Sequence, residues 1–317
     1  MKTTNLFKLP IQRKLFLFDN KLKRLSFQDS CKLSSVSDLP FYFFGSSSQG
    51  NSVYLSRLHL LIDLGFPYNH YADIDPDFFL DVESIILTHE HGDHFNFSTF
   101  KHVLKQYPNV HWYITKRMFD VITTPKFYFS EEDCDWITTK IRNRFTIINE
   151  ENKPIIIQTR DSIEYWFIPH FTRHGIGVNG LINLAIEISS QQLNIHTLYA
   201  SDLDHLFYQL GDPVYGLPIG INNVNGSIQY RPIGNPFNYI FLEANYDTAT
   251  IKQALTVNPQ NVHAHNNLRH ISEDEAFKYV RMNLSSSGIF IPLHASTTFG
   301  TLVQNLNSTT NNSEESQ

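Results

Sequence analysis

The sequence predicts an α/β fold whose halves are each rich in sheet. Short apolar runs with β-branched and aromatic residues alternate with segments of helical spacing. "IILTHEHGDHFN" (Ile85–Asn96) sets four candidate metal ligands where a buried strand gives way to a helix, and α/β sheets present their chemistry at such strand ends. No internal repeat or long linker interrupts residues 39–300, which predicts one domain, preceded by a basic arm over 1–38 and followed by a polar tail over 301–317.

From residue 39, "LPFYFFGSSSQGNSVYL" has the form strand, glycine-serine turn, strand, and "LHLLIDLG" adds a buried strand closing at Asp63 and Gly65. "VESIILT" is a short strand that runs into the histidine cluster. In "NFSTFKHVLKQY" the residues Phe97, Phe100, Val103 and Leu104 recur at helical spacing, which predicts one buried face. "VHWYIT" predicts a strand and "KRMFDVI" a short helix. Ser130–Arg144 predicts a further helix, with Ser130 as its N-cap before an acidic first turn. "SIEYWFIP", "INLAIEIS", "NIHTLYAS" and "NYIFLEA" follow as strands, then "EDEAFKYVRMNL" as a helix and "GIFIPLH" as a final strand. Phe207–Asn238, rich in Gly, Pro and Asn, interrupts this series and carries a hairpin signal at Asn225-Gly226. Its place between strands that end in candidate site residues predicts a lid. The tail "NSTTNNSEESQ" is polar enough to predict disorder.

The 317 residues are 41% hydrophobic, 14% aromatic and 18% charged, apolar enough for a substantial core. No run approaches the ~20 apolar residues a membrane span needs. "MKTTNLFKLPIQRKLFLFDN" breaks its apolar residues with Lys8, Pro10, Arg13 and Lys14, unlike a secretory leader. Cys31 and Cys134 are too few for a disulfide framework and lack zinc-ribbon spacing. The expectation is a cytoplasmic protein with no membrane role. The net charge of −6 is uneven: the first 38 residues carry eight Lys and Arg against three Asp, +5, leaving −11 for the rest. An acidic body is a poor general surface for nucleic acid, whose non-specific affinity comes from neutralised phosphates. The basic arm is expected to be solvated or to make a dimer contact.

In the cluster, His89 and His91 alternate along an extended loop and can converge on one cation. Asp93 and His94 are adjacent, so they diverge, which suits a second cation beside the first. Imidazole-rich sites with a carboxylate favour Zn²⁺, then Mn²⁺, Fe or Ni. The strand-then-ligands-then-helix context is the one a metal motif requires.

"THEHGDH" resembles the HxHxDH signature of the metallo-β-lactamase superfamily, and the likeness extends over roughly Phe41–Ser296. "FGSSSQGNSVYL" with "LIDLG" is similar to the opening of the branch that holds RNase Z-like enzymes and cyclic-phosphate phosphodiesterases. The resemblance implies an αββα sandwich, two sheets between helices, and places Asp63 behind the ligand loop. It implies two divalent metal ions, zinc before manganese. His89, His91 and His174 would hold the first, Asp93, His94 and His294 the second, and Asp202 would bridge them. His174, ahead of the turn in "RHGIGVNGLINLAIEI", fits the spacing better than His170, which stays as the alternative ligand. Asp204 is likewise the alternative to Asp202. Glu243 in "FLEANYD" and His270 in "NLRHISEDEA" resemble a carboxylate–imidazole pair beside the metals, and with Asp93 they form the expected catalytic set. Arg269 stands where that pattern has glycine, and His263 and His265 are candidate substitutes for His270.

The implied activity is hydrolysis of a phosphodiester by water activated to hydroxide at the metals, with His270 protonating the leaving oxygen. A small cyclic nucleotide or related cyclic phosphate suits the acidic body better than nucleic acid. A DNA or RNA nuclease and, after it, a thioester or lactam hydrolase are the alternatives. A homodimer is a further implication of the resemblance.

Overall fold

Two sheets and their helices make up a mixed α/β chain. The computed structural model describes residues 17–25, 39–126, 128–150, 153–174, 181–209, 214–218, 220–224, 227–231 and 234–302. Residues 1–16 and 26–38 of the expected arm, 175–180 after His174, the Asn225-Gly226 turn and the tail from 303 lie outside them. The chain divides into two compact units. The first holds the described residues from 39 to 169 with Ser190–Gln192; the second holds 17–25, His170–Ser189 and the described residues from Leu193 to 302.

Two short strands, β1 (Leu17–Phe18) and β2 (Arg24–Leu25), come first in the chain and belong to the second unit. The first unit then builds its sheet from β3 (Tyr42–Ser47), β4 (Gly50–Leu55), β5 (Leu60–Ile62), β6 (Ser84–Ile86), β7 (His111–Thr115) and β8 (Phe145–Ile148), in that spatial order. β3, β4 and β5 pair antiparallel, whereas β5 through β8 run parallel. Parallel strands need both faces covered, and β5 and β6 are buried at every residue. Helices α1 (Tyr68–Ala72), α2 (Phe78–Asp81), α3 (Phe97–Gln106), α4 (Lys116–Thr123) and α5 (Glu131–Thr139) connect them. The core is strongly aromatic: Tyr54, Tyr71, Phe78, Phe100 and Trp112 are almost fully buried within it.

α3 begins where the ligand loop ends. Asn96 is its N-cap and accepts from the Thr99 N–H. At the other end, Arg144 donates to the carbonyls of Leu104, Tyr107 and Val110, satisfying groups the helix leaves unpaired. Phe100, Val103 and Leu104 are buried as expected, but Phe97 is only half-buried, with its ring stacked on Tyr128. The helix expected over Ser130–Arg144 is α5 alone, capped by a Ser130–Asp133 capping box, with a separate 3-10 turn at Arg142–Arg144. β9 (Ile155–Gln158) then pairs antiparallel with the start of β10 (Glu164–His174), a strand that continues five residues past the predicted end.

The second unit continues with β11 (Leu181–Ser190), β12 (Ile195–Ala200), β13 (Phe207–Gln209), β14 (Val214–Gly216), β15 (Gly220–Val224), β16 (Ser227–Arg231), β17 (Phe237–Glu243) and β18 (Leu284–Leu293). Its sheet has the order β2-β1-β18-β17-β12-β11, followed by the second half of β10. β12, β17 and β18 are parallel, so their C-terminal ends share one edge. Within the stretch read as a basic arm, Leu17 and Phe18 are buried, and Phe18 pairs with Phe290 at the sheet's side. Helices α6 (Thr248–Val257), α7 (Val262–Asn267) and α8 (Glu273–Asn283) lie between β17 and β18 in sequence. The Phe207–Asn238 excursion forms two antiparallel hairpins, β13–β14 and β15–β16, with Val224 opposite Ser227 across the Asn225-Gly226 position.

A charged cluster closes the first unit at the N-terminal ends of β5 and β6. The His59 imidazole meets Asp81 through Nδ1 (3.2 Å to Oδ1) and Asp161 through Nε2 (2.9 Å). Burial opposes its charge, yet these two partners outweigh it and push its pKa up to about 9. A pKa raised on folding stabilises the fold fully below the unfolded value of ~6.5, and that contribution is lost as pH rises through about 9. With Asp81 and Asp161 half-exposed or more, screening reduces it to on the order of 1–2 kcal/mol. Urea unfolding at a series of pH values should show that loss between pH 6.5 and 9 in the native protein, and His59→Gln should remove it. Parallel curves for the two proteins would show that His59 does not carry the charge.

Candidate metal centre

Asp63 follows β5 in the left-handed conformation (φ 59°) and is fully buried. Its carboxylate accepts from the Thr88 N–H (2.9 Å), from Thr88 Oγ1 (2.9 Å) and from His94 Nδ1 (2.6 Å). Because the Thr88 hydroxyl spends its proton on Asp63, its lone pair is what faces His89 Nδ1 at 3.1 Å, and Nδ1–H is the donor there. The network therefore assigns both His89 and His94 the tautomer with hydrogen on Nδ1 and a lone pair on Nε2, the form that binds a metal. The rings of His89, His91 and His94 gather closely, with centroids 4.7 Å apart for His89–His91 and 4.3 Å for His89–His94.

Asp93 is held by a different part of the chain. The Asn51 backbone N–H donates to Asp93 O (2.7 Å), and Asn51 Nδ2 donates to Asp93 Oδ2 (3.2 Å) and to His94 Nε2 (2.9 Å). Ser46 Oγ donates to Asn51 Oδ1, which fixes the way round of the amide. Gly65 sits against the same peptide: a Cβ there would lie 1.9 Å from Asp93 O. Only glycine allows the β5 end and the ligand loop to approach so closely.

In the second unit the candidates stand at strand ends. Asp202 follows β12, Glu243 ends β17 and His294 follows β18, so the parallel register brings them to one edge. Asp202 (φ 54°) and His294 (φ 52°) share the left-handed conformation of Asp63. Non-glycine residues seldom adopt it, and such residues gather at functional sites. The two oxygens of Asp202 face different imidazoles: Oδ2 is 3.7 Å from His174 Nε2 and Oδ1 is 3.5 Å from His294 Nε2. Glu243 is fully buried; its Oε2 accepts from the Leu203 N–H, and its Oε1 is 2.5 Å from His270 Nδ1. Burial opposes a charge on His270, but the charge and hydrogen bond of Glu243, aided by Asp202, raise its pKa above the ordinary range. Donor atoms of Asp202, Glu243, His270 and His294 all lie within 4.8 Å of one another.

This donor set fits metal binding. Bonds of ~2.0–2.1 Å at tetrahedral angles set neighbouring donors ~3.4 Å apart, close to the 3.5 and 3.7 Å from Asp202 to its two imidazoles. Both oxygens of Glu243 are engaged by Leu203 and His270, which leaves Asp202 and His294 as the candidate ligands in that group. The alternatives fall elsewhere. His170 faces Glu187 at 3.0 Å, and the other oxygen of Glu187 faces His196 at 2.9 Å. Asp204 donates its N–H to Arg173 O, and burial raises its carboxyl pKa. His263 and His265 are exposed on α7, where His265 contacts Pro259 O.

Sequence reasoning passed over three asparagines. Besides Asn51, Asn183 is fully buried in β11 and donates to Asp202 O (3.0 Å), and Asn245 donates to His294 O (2.7 Å). A lone amide inside the apolar run "LINLAIEI" was the available signal for Asn183.

No family model matches the sequence, and no curated protein does. Solved structures similar to it include human tRNase Z, short form, at 12% identity over 81% of this chain and 92% of that one, with a TM-score of 0.44. The metallo-β-lactamase fold protein YhfI from Bacillus subtilis is 14% identical over 82% of this chain and 96% of that one, with a TM-score of 0.38. Unliganded yeast PDE1 is 10% identical over 86% and 94%, with a TM-score of 0.46.

Gly65→Ala tests the close approach. The added methyl must displace Asp93 O or the Asn51 N–H, an overpacking that costs about 1–3 kcal/mol or more. Lower thermal stability together with poorer retention of metal on dialysis is the expected outcome. A variant as stable and as metal-retentive as the native chain would show that the two segments separate freely.

Proposed function

We propose that the chain is a metal-dependent hydrolase of phosphodiester bonds, with a cyclic nucleotide or related small cyclic phosphate as substrate. The observation that carries this is Asp202, with one oxygen toward each of two imidazoles, beside a buried Glu243–His270 pair. The proposed ligands are His89, His91, Asp93, His94, His174, Asp202 and His294. Two divalent ions, zinc ahead of manganese, supply Lewis-acid activation of water and of the phosphoryl oxygens when bound.

The chain's own residues do the rest. Asp63 and Thr88 keep His89 and His94 in the ligating tautomer. Glu243 holds Nδ1 of His270, leaving Nε2 to pass a proton to the leaving oxygen. A placed acid matters most for an alkoxide, which departs poorly as an anion, and this favours a phosphodiester over an activated acyl substrate. The acidic body disfavours a long polyanion. We assign the Phe207–Asn238 excursion the role of a lid or substrate-selecting loop, because it interrupts the chain between Asp202 and Glu243; Tyr279 Oη, which donates to Pro218 O (2.7 Å), and His196, which meets Pro236 O (3.3 Å), hold it to the second unit.

Two experiments test this. Elemental analysis of protein made with ample zinc and manganese should find about two ions per chain, with about one lost in each of His174→Ala and His294→Ala. Protein without bound metal under those conditions would overturn the proposal. His270→Ala should keep its metal and much of its activity on a nitrophenyl phosphodiester, yet lose on the order of 10²-fold or more on a nucleotide diester. Equal losses on both substrates would assign His270 to binding or folding.

A further inference from the structure

Between Lys126 and Phe129 an exposed aromatic ring, Tyr128, lies against the start of α3, the helix that follows the His89–His94 loop. Lys126 and Phe129 exchange backbone hydrogen bonds of 3.0 and 3.2 Å. Phe129 is buried against Phe97 and Phe100, with centroids 5.8 and 5.9 Å away, and so pins the turn to the first turns of α3. Tyr128 is thereby directed outward, and its ring lies flat on Phe97 with centroids 3.8 Å apart and planes 7° from parallel. Lys101 donates to Tyr128 O (3.5 Å) and is itself paired with Asp133 (2.7 Å).

One face of Tyr128 and its backbone are thus fixed, yet the residue is 58% exposed. A rigid, stacked ring left open to water is an exposed apolar surface. Phe97 lies three residues past His94, so no more than about 11 Å of chain separates the platform from the loop. Lys101 is neutralised by Asp133, and the platform therefore presents a flat, uncharged face that suits a planar ring better than a phosphate.

We propose that Phe97 and Tyr128 form a base-stacking subsite, on which the nucleobase of the substrate lies while its phosphate is at the ligand loop. This rests on the phosphodiesterase reading and narrows it to substrates that carry a base. Stacking tolerates any base, so the subsite separates nucleotides from simple cyclic phosphates rather than one nucleotide from another.

The test uses the full-length, metal-loaded protein with adenosine 3′,5′-cyclic monophosphate as substrate, and 5′-AMP and ribose 5-phosphate as competing ligands. Tyr128→Ala should raise KM and weaken 5′-AMP binding on the order of 10-fold, with kcat nearly constant and ribose 5-phosphate binding unchanged. Tyr128→Phe, which keeps the ring, should match the native protein. An unchanged 5′-AMP affinity in Tyr128→Ala, or an equal loss for both ligands, would overturn the subsite. Ring-dependent 5′-AMP binding, read by saturation-transfer NMR in a protein that turns over no phosphodiester, would keep the subsite and reject the reaction.

Discussion

The first unit is organised around one buried carboxylate. Asp63 accepts hydrogen bonds from the Thr88 N–H, the Thr88 hydroxyl and His94, and reaches His89 through the Thr88 hydroxyl. A charge with no exposure is tolerated only when its lone pairs are filled, so the loop that fills them cannot take another path without leaving the carboxylate uncompensated. The left-handed backbone of Asp63 is part of the same constraint, because it turns the side chain back under the loop as β5 ends. Leu64 then continues the contact, donating to His94 O and accepting from the Asn96 N–H, which leads directly into the N-cap of α3. The tautomers of His89 and His94, the path of the loop and the start of α3 follow from a single interaction.

The second unit reaches a comparable result by topology. Three parallel strands end at one edge, and each delivers a polar side chain there: Asp202, Glu243 and His294. Asp202 and His294 turn back by the same left-handed step that Asp63 uses, and their carbonyls are tied by Asn183 and Asn245. These amides matter because they hold backbone at the two positions where it is least comfortable, so the conformation costs little once the unit has folded.

How far the site was legible depends on distance along the chain. The loop from His89 to His94 was legible because its candidate ligands are neighbours and the flanking strand and helix have clear periods. Asp202, Glu243, His270 and His294 were legible only as an order of residues at strand ends, and their convergence needed the parallel register. Asn51 lies 42 residues from Asp93 in sequence, and nothing local announces that their peptides touch. Phe97 has the period of a core residue and packs at the core's edge, where it also stacks on Tyr128, a partner that no helical pattern can reveal. The strand at Leu17–Phe18 was hidden by the basic residues around it, although its own two side chains are buried. α6 and α7 were missed because their sequences, with exposed Val257 and Val262, lack a strong apolar stripe.

The proposed catalytic pair, Glu243 and His270, is arranged for direction more than for stability. Glu243 is fully buried and β17 delivers it, whereas His270 comes from the segment between α7 and α8 and stays partly exposed. Replacing such a pair with apolar residues is often neutral or stabilising, so stability alone does not account for it. What the pair does provide is direction. The carboxylate holds Nδ1, the Leu203 N–H holds the carboxylate, and Leu203 directly follows Asp202. The imidazole is therefore positioned by the same turn that positions the carboxylate facing His174 and His294. In the proposed reaction, the hydrogen bond from Leu203 to Glu243 would tie the carboxylate that orients His270 to the backbone beside Asp202, although His270 itself is carried by a different segment.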